Sequence, residues 1–172
     1  GLLGIITMPF IHADSTHLLA NSVTFLVLSV LLFSNYRHIA LKVFMLIWLF
    51  SGVILWVIGR PSWHIGASGV IYGMAFFLFC SGLLRKKIPL VATSLVVVFL
   101  YGGMVWYMFP LGIDNHISWE GHLSGALIGM FFSVYYKIKE PSEQKQEDID
   151  ENDSVDYDWQ ENEIENTTED TI

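Results

Sequence analysis

The sequence predicts an all-α fold, a polytopic membrane helix bundle with five spans, on three observations. The chain of 172 residues is 53% hydrophobic but only 15% charged. Its apolar residues gather into five runs of near-spanning length. Its charge is divided between two segments. Residues 1–139 hold eight Lys/Arg against three Asp/Glu, a net +5; residues 140–172 hold one Lys against fourteen Asp/Glu, a net −13, and the two give the formal −8. An ordinary acidic soluble domain is excluded by this split. The few and scattered basic residues argue against a nucleic-acid binder. Two parts are expected: a membrane body over residues 1–139 and an acidic, disordered cytoplasmic tail over residues 140–172, too poor in apolar residues to offset its ordering entropy. Such a tail is either simply solvated or docks on a basic partner, and the sequence names no partner for it.

A helix needs about 20 mostly apolar residues to cross a bilayer, within a range of roughly 17–25. The candidates, in order, are Leu18–Phe33, Leu41–Ile58, Ser68–Leu84, Pro89–Met108 and Trp119–Tyr136. The shorter ones are extended by flanking Lys and Arg that snorkel to the interface. A helix satisfies its backbone groups internally, which an open sheet in lipid cannot do. A soluble helical bundle is disfavoured because no charge occurs from Ile88 to Ile113. Arg37 and Lys42 follow the first span, Arg85, Lys86 and Lys87 the third, and Lys137 and Lys139 the fifth. Alternating spans put these on one side, so the positive-inside bias makes that side cytoplasmic. The start of the chain and the loops Gly59–Ile65 and Gly112–Ser118 are then outside. Cys80 is the single cysteine, so no intrachain disulfide can form.

Polar groups inside spans are costly and therefore informative. Leading into the first span stand His12, His17 and Asn21, with His17 and Asn21 four apart on one helix face. Both can donate hydrogen bonds, as an oxyanion hole requires. Equally, Asp14 or Ser15 could cap the helix and leave His17 merely interfacial. At the start of the third span is Gly66-Ala67-Ser68-Gly69, where small neighbours leave a serine hydroxyl unobstructed. Small residues and Ser also serve simple helix packing, and a nucleophile needs a base within hydrogen-bond reach. At the start of the fifth span is Gly121-His122-Leu123-Ser124-Gly125. Gly121, Gly125 and Gly129 form one smooth face that admits a close neighbour. Alone, His122 fits a water-bonded interfacial histidine. Spans three and five run in the same direction, however, so Ser68 and His122 lie at matching depth and a Ser–His pair becomes feasible.

Taken together, His17-Leu-Leu-Ala-Asn21, Gly66-Ala-Ser68-Gly69 and Gly121-His122-Leu-Ser-Gly125 resemble the motifs of the rhomboid intramembrane serine proteases in order, spacing and sidedness. The resemblance implies a serine endopeptidase with Ser68 as nucleophile and His122 as general base. It implies His17, Asn21 and the Ser68 amide as oxyanion donors, Tyr72 packed on His122, and His12 supporting the outer loop. Gly66, Gly69, Gly121 and Gly125 would support the site. By position alone Tyr72 sits one turn below Ser68, and an ordinary core aromatic is the plain alternative. The five spans would be the family's second to sixth. The chain starts at Gly1 without Met or a signal-peptide pattern, so the first family span is expected to precede it. Where family members often carry a Trp-Arg pair, this chain has Leu3-Gly4.

The implied substrates are single-span membrane proteins cut at or near their transmembrane segment. The implied location is a bacterial inner (plasma) membrane, with the site facing outward. No cofactor or metal is expected: His64 and His116 could join His122 on a metal, but their spacings fit no familiar zinc pattern. Two other classes stay open on the residues: a non-catalytic binder of membrane segments, and a transporter using its histidines as proton or ion ligands, against which the one-sidedness of the polar cluster counts. Spans one and four, the latter with Phe99, Trp106, Tyr107 and Phe109, are candidates for lateral opening.

Overall fold

A computed structural model describes residues 2–110 and 118–139. The acidic tail expected over 140–172 and most of the outer loop Gly112–Ser118, with Asp114 and His116, lie outside the described residues. Among the described residues all regular structure is helical. In chain order there are α1 (Gly4–Thr7), a 3₁₀ turn (Met8–Phe10), α2 (Ser15–Asn35), α3 (Ala40–Ile58), α4 (Ser68–Arg85), α5 (Ile88–Tyr101) continuing as a 3₁₀ segment (Gly102–Met108), and α6 (Trp119–Lys139).

Each expected span has its helix. Those over Ser15–Asn35, Ala40–Ile58, Ser68–Arg85 and Ile88–Met108 are long and apolar enough to cross a membrane. The fifth, α6, is 21 residues long but less apolar, because Glu120 and His122 load one end and Lys137 and Lys139 the other. The fourth is not one uninterrupted α-helix. Its α-helical hydrogen bonding stops at Tyr101, and the adjacent Gly102 and Gly103, both poor helix formers, begin the tighter 3₁₀ run. The short α1 and the turn after it are additions to the expected set. They are tied to α3 by the Trp48 indole N–H, which donates to the Ile6 carbonyl at 3.2 Å.

The helix ends follow ordinary capping chemistry. Asp14, in extended conformation, caps α2 by accepting from the His17 amide at 2.8 Å. Lys86 closes α4 in the left-handed region at φ 55°, and Pro89 opens α5, where its missing N–H costs nothing.

Helix α4 is the axis of the bundle. Of its residues 67% are buried, whereas α2, α3 and α5 each bury only a minority of theirs. Val70, Ile71, Met74, Phe77 and Leu78 pack there against Leu28 and Leu32 of α2, Val43 and Ile47 of α3, Val97 of α5 and Ile128 of α6. The peripheral helices turn large apolar side chains outward, among them Leu19, Leu26, Leu49, Phe99 and Phe131. That distribution suits a lipid solvent, in which apolar exposure carries no penalty. Helix α6 approaches α4 through glycine. A Cβ at Gly125 would overlap the Gly69 carbonyl oxygen, and one at Gly129 would overlap that of Gly73. The smooth face expected from Gly121, Gly125 and Gly129 is therefore the α4–α6 contact.

Candidate active site

The glycine contact brings the starts of α4 and α6 side by side. Ser68 is the first residue of α4, and His122 lies in the first turn of α6. The His122 Nε2 atom is 3.0 Å from Ser68 Oγ, and its Nδ1 atom is 2.9 Å from the Tyr107 carbonyl oxygen. A carbonyl can only accept, so Nδ1 carries the proton and donates to it. That leaves Nε2 as the acceptor for the Ser68 hydroxyl, the tautomer a general base requires. The group that orients the imidazole is thus a main-chain carbonyl of the 3₁₀ segment after α5. Glu120 does not take that place; its carboxylate faces Arg60 instead, with Arg60 Nε at 3.4 Å.

Tyr72 is one helical turn below Ser68, and its ring stacks on His122 at 4.2 Å between centroids and 9° between planes. Its hydroxyl donates to the Met104 carbonyl at 2.6 Å. The imidazole is therefore held by a flat face and by a hydrogen bond at Nδ1, and both supports are anchored on the 3₁₀ segment. Parallel stacking of this kind contributes on the order of 1 kcal/mol beyond burial.

His17 and Asn21 meet the start of α4 at Gly66. Gly66 has φ +100°, a conformation that disfavours any side chain. A Cβ there would also lie 2.9 Å from His17 Cε1 and 3.2 Å from Asn21 Nδ2. Only glycine lets these two side chains come so close to the backbone that delivers Ser68. The Gly66 amide is tied to the Met8 carbonyl at 3.0 Å. Asn21 Nδ2 is buried and has no hydrogen-bond partner among the described residues. The Ser68 amide, at the first turn of α4, is likewise without a partner inside its helix. His12 packs edge-on against His17, with centroids 5.2 Å apart and 74° between planes.

A cavity of about 780 Å³ joins these groups. Ser68, His122, His17, Asn21, Tyr72 and Tyr107 line it. Every residue expected at the site is there or directly beside it: Gly69 abuts Gly121, Gly125 abuts Gly69, and His12 backs His17. What the sequence left unread are the Tyr107 and Met104 carbonyls. Main-chain acceptors carry no residue signature, and Gly102-Gly103, as poor helix formers, are the one signal that could have shown where carbonyls come free. Both ring nitrogens of His64 are engaged, by Ser118 and by the Arg60 carbonyl. Among the described residues no group of His, Cys, Asp and Glu could hold a metal ion.

The chain is also similar to known proteins. The sequence model of the Rhomboid domain matches residues 1–139. Uncharacterized proteins of Mycobacterium tuberculosis and Mycobacterium leprae are 39% and 36% identical, over 76% and 75% of this chain and 57% and 54% of their own length. Rhomboid-related protein 1 of Caenorhabditis elegans is 27% identical over 76% of this chain and 39% of its own. The chain spans little more than half the length of these mycobacterial relatives. No solved structure matches it. A matching domain of this kind and four helices of spanning length make the chain an integral, multi-pass membrane protein.

Proposed function

Because the chain belongs to the rhomboid family, we propose that it is an intramembrane serine endopeptidase in which Ser68 and His122 form the catalytic dyad. The observation that carries this reading is the hydrogen bond of 3.0 Å between Ser68 Oγ and His122 Nε2, with Nδ1 already committed to the Tyr107 carbonyl. His122 Nε2 takes the Ser68 proton as Oγ attacks a substrate peptide carbonyl. The oxyanion so formed accepts hydrogen bonds from Asn21, His17 and the Ser68 amide. Its collapse breaks the C–N bond, and His122 returns the proton to the departing amine. Water then attacks the acyl ester with His122 as base, which frees the new carboxylate and restores the hydroxyl. The substrates are single-span membrane proteins, whose helix must unwind locally before its shielded carbonyl can reach Oγ. The positive-inside bias supports a bacterial plasma-membrane orientation with this site outward and the basic connections and acidic tail cytoplasmic.

The direct test is a fluorophosphonate probe, which forms a covalent adduct only with an activated serine. Labelling is expected at Ser68 and is expected to be lost in His122→Ala. A chain that binds membrane segments without cutting them would fold and bind but leave the probe unreacted. Asn21→Ala removes one donor to the oxyanion, so kcat should fall by about 10²–10³-fold on a single-span substrate. An unchanged kcat would remove Asn21 from that role.

A further inference from the structure

Two polar links take no part in the reaction above, and both join the same two pieces of chain. Arg60 Nε lies 3.4 Å from Glu120 Oε1. His64 Nδ1 lies 2.7 Å from Ser118 Oγ, and its Nε2 lies 2.9 Å from the Arg60 carbonyl oxygen. The carbonyl can only accept, so His64 Nε2 carries the proton and Nδ1 accepts from the Ser118 hydroxyl. Arg60 and His64 belong to the connection between α3 and α4, which delivers Ser68. Ser118 and Glu120 stand immediately before His122. Each link therefore bridges the two halves of the dyad.

From residue 56 to residue 65 no side chain is buried. A cavity lies on either side: the catalytic one, and a second of about 430 Å³ bounded by Gly4, Ile5 and Met8. Ser62, Trp63 and Ile65 line both. Buried apolar side chains thus do not place this segment, and the Gly66–Met8 hydrogen bond and the two polar links are among the contacts that fix its course. At the other end Glu120 is only 2% exposed. A carboxylate is costly to bury and is retained with a partner. An acid in the first turn of α6 also complements the helix dipole, but an exposed acid would do that equally well. Burial against Arg60 is the feature that needs a separate reason.

We infer that the Arg60–Glu120 pair, with the His64–Ser118 link beside it, is a clamp that presses the α3–α4 connection onto the start of α6 and so sets the Ser68–His122 separation. The inference rests on the dyad reading above. Arg60 and Glu120 are positioning residues, since they act through the segments that carry the dyad. Misplacing a reacting group by about an ångström costs up to about a hundredfold in rate. The loss should fall on kcat, because the α2 and α5 walls of the cavity stay where they are.

The test uses the full chain in lipid vesicles. Wild type, Arg60→Ala, Arg60→Lys, Glu120→Gln and the Arg60→Ala/Glu120→Gln double variant are compared. Measured are the rate of fluorophosphonate labelling at Ser68, kcat and KM on a single-span substrate, and the thermal midpoint. Well below the midpoint, Arg60→Ala and Glu120→Gln should each lower kcat and the labelling rate about ten- to a hundredfold, with KM changed by less than about twofold. Arg60→Lys, which keeps the charge, should recover most of the loss. The double variant should fall no further than the worse single one, as expected for two ends of one link. If Glu120→Gln does not accumulate, Arg60→Ala against Arg60→Lys, at the more exposed end, makes the same comparison. Wild-type kcat in Arg60→Ala and Glu120→Gln overturns the clamp. So do losses that simply add, and losses that track only KM or the melted fraction. A wild-type chain that neither cleaves nor labels overturns the protease reading and the clamp with it, and that result is distinct from all the others.

Discussion

Replacing Ser68 by Ala is expected to abolish cleavage of a single-span substrate while the helical bundle stays folded. The hydroxyl makes one hydrogen bond, to His122, so its removal should change stability by only about 1 kcal/mol. Its chemical role has no substitute, and loss of a serine nucleophile lowers kcat by roughly 10⁶-fold in a comparable site. Cleavage of a tagged substrate co-expressed in membranes reads the first effect, and the thermal midpoint of the purified variant reads the second. His122→Ala should be as inactive, and combining the two should add almost nothing, because the residues act as one unit. Retained cleavage in Ser68→Ala would sink the assignment outright.

The second large effect is expected far from any reacting atom. In Gly125→Val the new side chain must occupy space now held by the Gly69 carbonyl oxygen, with the Gly73 amide nitrogen only 3.2 Å from the Cβ position. Neither obstacle is a side chain that can swing away; both are backbone of the central helix. The helices must part, at a cost of about 1–3 kcal/mol or more, and Ser68 and His122 part with them. A hydrogen bond at 3.0 Å tolerates little of that. The expected result is a lowered thermal midpoint together with loss of fluorophosphonate labelling at temperatures where the variant is still folded. Gly4→Ala, at a glycine with nothing within 4 Å of the added carbon, should do neither. Labelling at the wild-type rate in Gly125→Val would show that the close glycine contact does not set the dyad.

These two residues also mark what was legible in the sequence and what was not. The helices could be read because lipid imposes a strong rule on composition, and runs such as Leu41–Ile58 obey it almost to the residue. Ser68 and His122 could be paired from the sequence, since two helices running the same way put their starts at one depth. The break at Tyr101 was missed because Gly102 and Gly103 are tolerated in membrane helices, so apolarity outweighed propensity. Helix α1 was missed because four residues are too few to carry a period. Arg60, His64 and Glu120 were visible as polar residues in outer segments. Which of them would meet depended on the path of an irregular connection, and no periodicity encodes that.

The imidazole's orienting partner has a consequence for how such a site can vary. In a Ser–His–Asp arrangement the third member is a side chain, and one substitution deletes it. Here that duty falls to the Tyr107 carbonyl, an atom that every amino acid possesses. A scan of single substitutions at position 107 would therefore pass over it, whatever residue was tried, so long as the chain kept its course. What the imidazole's orientation depends on is a length: the number of residues from the end of α5 to Tyr107. Insertions and deletions in that stretch, rather than changes of residue type, are the lesions to which the proposed dyad is most exposed.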